Sequence, residues 1–155
     1  MDFLTWKFLH VATMFFAVAL AVSGELVVRR VAASRDPRAI AVTTGQVKPL
    51  GNLAGGLFVV GLVFGVLAAI AGQIDLLRPW LISAYVAFAA AMAVGLTITD
   101  PWLNRLQAAA AASPQGAPSA ELLAVIEDPR ARVGTALLMG LVVVLVFIMV
   151  VKPFG

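Results

Sequence analysis

The chain of 155 residues has no cysteine, one tyrosine and one histidine, and only 12% of its residues are charged. The missing cysteines exclude disulfides, thiolate metal sites and thiol nucleophiles. One histidine inside an apolar stretch gives no Ser-His-Asp constellation. The glycines follow no P-loop spacing, so nucleotide binding is unsupported. The five methionines are scattered and form no copper ladder. Acids and bases are almost absent from the apolar interior, which argues against a pump or an ion-coupled transporter. The sequence pI is near 10.0, yet the net charge is only +3 and the basic residues gather at the ends of apolar runs. They read as orientation signals facing anionic inner-leaflet lipid, and no nucleic-acid partner is expected.

What the chain does have is apolar length. Hydrophobic residues make up 62% of it, with a mean hydropathy of +1.02. Four stretches dominate: Phe8–Gly24, Leu53–Ala71, Pro79–Thr99 and Val133–Val151. Each approaches the roughly 20 apolar residues that cross a bilayer. The last three carry no charge, and the first has only His10 as a titratable group. The expected fold is an all-α membrane protein, a four-transmembrane-helix antiparallel bundle in one domain. Its helices are expected at about 5–28, 51–72, 79–99 and 132–151.

Ala21-Val22-Ser23 resembles a signal-peptidase site, but Arg29 and Arg30 follow the apolar core while Asp2 precedes it. A signal peptide has the opposite bias, so this segment is read as the first membrane helix. Lys and Arg placement sets the orientation. Segments 29–50 and 100–132 hold eight of the eleven basic residues, and the other side holds Lys7, Arg78 and Lys152. The positive-inside rule puts both termini outside, in a multi-pass protein of the bacterial inner (cytoplasmic) membrane. Trp6 and Trp80 are expected at the outer interface and Trp102 at the inner one.

The outer turn 73–78 is tight, which makes spans two and three a hairpin. The inner loop 29–50 reads as longer, with a turn at Ser34-Arg35-Asp36-Pro37. Asp100-Pro101 reads as the end of span three. Residues 107–120 read as a flexible cytoplasmic linker, in which an alanine run extends the helix before Ser113, Pro114, Gly116 and Pro118 break it. The spacing of Leu122, Leu123, Val125 and Ile126 predicts a short interfacial helix over 121–127.

Helices in lipid associate by close backbone approach, so small residues mark the seams. On span one His10, Thr13, Met14, Ala17, Ala21 and Gly24 share a face, opposite Phe8, Phe15, Val22 and Leu26. On span two Gly61, Gly65, Ala68 and Gly72 form a stripe. Ala17, Ala21, Gly24, Gly61, Gly65 and Gly72 are the expected helix-packing set. Ser83, Ala87, Ala90, Ala91 and Val94 do the same on span three, and span four is expected to face lipid most.

His10 lies about 7 Å inside the outer end of its helix at 1.5 Å per residue. One reading makes it an axial ligand of a b-type haem, with Met149 at similar depth as the second ligand or a second copy's His10 in a dimer. The other makes it a histidine bonded to a neighbouring helix or to headgroups. Glu25 and Arg29 read as an ordinary i, i+4 pair. No catalytic residue and no metal site are assigned.

Trp6-Lys7-Phe8-Leu9-His10-Val11, Pro79-Trp80-Leu81 and the closing Met149-Val150-Val151-Lys152-Pro153 resemble a bacterial "predicted integral membrane protein" family of unknown function, related to copper-resistance protein D. The resemblance covers nearly the whole chain. It implies a four-helix layout, and through the wider group it implies copper handling or, more distantly, the haem of a bacterial protoporphyrinogen oxidase at His10. From an interior of glycine and alanine with almost no titratable groups, and from His10 and Met149, three functions are expected in order. The first is a non-catalytic accessory or structural subunit of a larger membrane complex, with other membrane subunits or itself as partner. The second is a small haem-binding redox protein, and the third is copper passage.

Overall fold

The computed structural model describes residues 2–114 and 116–153. It is helical from end to end, with no strand among the described residues. The elements are α1 (Phe3–Ala32), α2 (Pro37–Ala71), α3 (Pro79–Val94), a π turn (Gly95–Thr99), α4 (Asp100–Ala112), α5 (Ala120–Ile126) and α6 (Pro129–Val151). Because α3, the π turn and α4 are continuous, the described residues offer four helices long and apolar enough to cross a membrane. An even number of passes brings both termini to one end of the bundle.

The helices are longer than the sequence suggests. α1 has 30 residues and α2 has 35, about 45 and 52 Å at 1.5 Å per residue. A hydrocarbon core is about 30 Å thick, so both project well beyond it. The expected long loop over 29–50 is reduced to residues 33–36. Arg35 turns the chain there in the left-handed region at φ 57°. Asp36 then caps α2 by accepting from the Arg38 and Ala39 amides at 2.9 and 3.3 Å, and Pro37 fills the first helical position. The polar residues of 38–48 made this stretch look like a loop, but they lie on a helix whose inner face buries Ile40 and Thr44.

Asp100-Pro101 does not end the third span. The π turn precedes the proline, and the Asp100 amide donates to the Gly95 carbonyl five residues back. The wider turn displaces the carbonyl that a proline ring would otherwise strike. The helix then runs on through the alanine run to Ala112. The rest of the expected 107–120 linker is tied down, because Ser119 hydrogen-bonds Ser113 at 3.0 Å and caps α5 by accepting from the Leu122 amide at 3.1 Å.

Two cores result. α3 and α6 pair around Trp80, Leu81, Ala84, Ala87 and Ile148. The buried stripe of α3 is therefore 80, 81, 84, 87, and only Ala87 of the expected 83, 87, 90, 91, 94 set is fully buried. The larger core lies at the loop-bearing end distant from the termini. It joins Val28 and Ala32 of α1, Ile40 of α2, Trp102 and Leu106 of α4, Leu122 and Val125 of α5 and Ala131 of α6. Apolar residues on the outside of the spans remain uncovered, among them Phe8, Phe15 and Leu26 on α1 and Val143, Val146 and Val150 on α6. These are the surfaces lipid would cover.

Candidate functional site

The polar chemistry of the membrane region gathers at two places. The first is the α1–α2 seam. His10 Nδ1 lies 2.7 Å from the carbonyl oxygen of Gly61. A carbonyl only accepts, so Nδ1 carries the proton at this contact and Nε2 is the ring's lone-pair nitrogen when the ring is neutral. The imidazole occupies a notch made by glycine: a Cβ on Gly65 would come within 2.9 Å of Nδ1. Met14 fills the next notch against Gly61, Phe3 the one at Gly72, and Val47 faces Gly24. Ala17 is fully buried and Ala21 partly so. Gly24, Gly61, Gly65 and Gly72 thus lie on the α1–α2 seam. Met149 packs beside the α3–α6 core instead, so the structure assigns His10 and Met149 to different seams.

The second place is a node that sequence reasoning reduced to a local pair. Glu25 is buried, and its Oε1 accepts from Arg29 Nε at 2.6 Å. Arg29 also donates from Nη2 to the Ala131 carbonyl at 2.7 Å and to Thr135 Oγ1. Thr135 in turn donates to Glu25 Oε1 at 2.5 Å. The guanidinium lies over the Trp102 ring, 4.6 Å from its centroid. Trp102 donates its indole N–H to the Val125 carbonyl at 2.9 Å. One ion pair on α1 therefore binds α6 directly and meets α4 and, through the indole, α5. Trp102 is 1% exposed, so its ring packs within the protein. The signal in the sequence was a carboxylate directly after the first apolar run and followed by Leu26, Val27 and Val28, because such a group needs partners within the protein. Spacing alone named Arg29. Thr135 and Trp102 lie over 70 residues away and carry no mark of the contact.

This node can hold helices together but offers little for chemistry. The carboxylate's Oε1 and the guanidinium are both engaged by protein partners. Clefts lie away from the node, one near Thr97, Arg105 and Arg130 and one near Lys48, Asn52 and Asp100. No group of three metal-binding His, Cys, Asp or Glu side chains assembles among the described residues. Further ion pairs brace the same end: Arg35 with Glu127 at 2.8 Å and Arg105 with Asp128 at 2.9 Å.

The fold and these contacts define a multi-pass α-helical membrane protein whose hairpins are joined by a buried polar node. No family model, curated protein or solved structure matches the chain.

Proposed function

We propose that the protein is a non-catalytic subunit of a larger membrane assembly, seated in a bacterial cytoplasmic membrane with both termini outside. The observation that carries the reading is the engagement of His10, Glu25 and Arg29. Each is bonded to a neighbouring helix: His10 to α2, and Glu25 and Arg29 to α6. Polar groups in lipid are costly and are retained for function or for helix association. Here their geometry serves association. Extraction in mild detergent followed by native electrophoresis and mass spectrometry tests the reading. A stoichiometric membrane partner is expected, and an isolated monomer with its own turnover would overturn it.

A second reading, b-type haem at His10, draws on the hydrogen bond to Gly61. Ligating histidines usually donate their other ring nitrogen in this way. Oxidised and dithionite-reduced absorption spectra separate the two. A Soret band lost in His10→Leu would favour haem, and a colourless native protein would end that reading.

A further inference from the structure

We infer that the cleft between the π turn and the start of α6 is a binding site for one anionic phospholipid. The cleft measures about 530 Å³. Its wall is formed by Thr97 and Ile98 from the π turn and by Val133 from α6. Arg105 and Arg130 also line it. The two sets of residues make an amphipathic cleft. Its apolar part belongs to the hydrocarbon-spanning stretches, and its charged part belongs to the end of the bundle where eight of the eleven basic residues gather.

Local structure explains the cleft. Gly134 is buried, and a Cβ there would fall 2.5 Å from Ile98 Cγ2. Ile98 therefore packs down onto α6 while Val133 stays 57% exposed. Asp128 is the nearby acid, and it is already occupied. Its Oδ1 accepts from the Arg130 amide at 2.9 Å and its Oδ2 from Arg105 Nη2 at 2.9 Å. The Arg130 guanidinium has no hydrogen-bond partner among the described residues, and Arg105 has only the one bond to Asp128. Two guanidiniums beside an apolar wall suit a phosphodiester headgroup with an acyl chain below it. A zwitterionic lipid would bring a cationic group against the same arginines.

The test is intact-protein mass spectrometry of the full chain released from vesicles of equal phosphatidylglycerol and phosphatidylcholine. We expect one phosphatidylglycerol to be retained in preference to phosphatidylcholine. Arg130→Gln removes a guanidinium that bonds nothing among the described residues, so the fold is kept, and retention should fall about fivefold for the loss of one near-surface cation. Val133→Trp fills the wall with the charges untouched and should also abolish retention. Arg38→Gln removes an equal charge from the same end of the bundle and should change nothing. Equal loss in Arg38→Gln would overturn the site in favour of general attraction. So would full retention in Val133→Trp, or displacement of the lipid by millimolar inorganic phosphate.

Discussion

Arg29 of α1 and Thr135 of α6, separated by 106 positions in the chain, are hydrogen-bond partners at the node that joins the two halves of the bundle. Thr135 also donates to Glu25, so the hydroxyl bonds both members of the ion pair. Removing one charge should therefore cost more than removing the hydroxyl. Arg29→Met strands a carboxylate whose side chain is only 7% exposed. We expect a loss of about 3 kcal/mol, the lower part of the range for broken buried pairs, because Arg29 itself keeps a quarter of its surface. Thr135→Val should cost about 1 kcal/mol. Denaturant unfolding in detergent micelles measures both.

The glycines of α2 should respond to substitution in an order set by their neighbours. Gly65→Ala places a methyl 2.9 Å from an imidazole held by the Gly61 carbonyl. That neighbour cannot swing away without losing its bond, and a cost of about 1–3 kcal/mol follows. Gly61→Ala meets the flexible Met14 side chain at 3.0 Å and should cost less. Gly55→Ala meets nothing within 4 Å, and should stabilise the helix by up to about 1 kcal/mol. Thermal unfolding of the three variants side by side checks the order.

Trp102→Phe keeps the ring over Arg29 but removes the indole donor to the Val125 carbonyl. That bond anchors α5 to α4. We expect a loss of about 1–2 kcal/mol, seen as faster proteolysis between residues 112 and 120. Unchanged cleavage would show that Leu122 and Val125 hold α5 by burial alone.

Asp2 caps α1 by accepting from the Thr5 hydroxyl at 2.6 Å and the Thr5 amide at 2.9 Å. These bonds, the hydroxyl first, hold its carboxyl below the ordinary 3.8. A depressed carboxyl stabilises the fold above 3.8, and the contribution disappears as pH falls through the lower folded value. The first turn should therefore fray in acid. The protection of the Thr5 and Trp6 amides against exchange, relative to their intrinsic rates, should fall as pH drops below the ordinary 3.8 in the native chain, and Asp2→Ala should remove that dependence.

Much of the fold was legible because membrane spans announce themselves by apolar length. The turn at Ser34–Pro37 and the short helix near 121–127 followed from proline, charge and spacing, whereas the expected hairpin of spans two and three did not form, because α2 packs on α1 and α3 on α6. The start of α2 did not, because hydropathy marks where lipid begins and gives no sign of where a helix begins. Residues 38–50 are helical through their buried Ile40 face and the cap at Asp36. Pro101 misled for a different reason. A single wide turn upstream accommodates the ring, and no residue type in Gly95–Thr99 requires that turn.

The sequence by itself determined the solvent, the number of spans, the stripe of small residues along α1 and α2 and the basic end of the molecule. These are sums or periodicities over neighbouring residues, and they need no partner to be defined. Only the tertiary structure decided that Glu25 and Arg29 bind Thr135, that Trp102 lies inside a core and that Arg105 and Arg130 flank an apolar cleft. Each of those depends on which helix faces which across the bundle. The π turn and the overlong helices set that geometry, and hydropathy leaves it open because every lipid-facing side of a span looks alike.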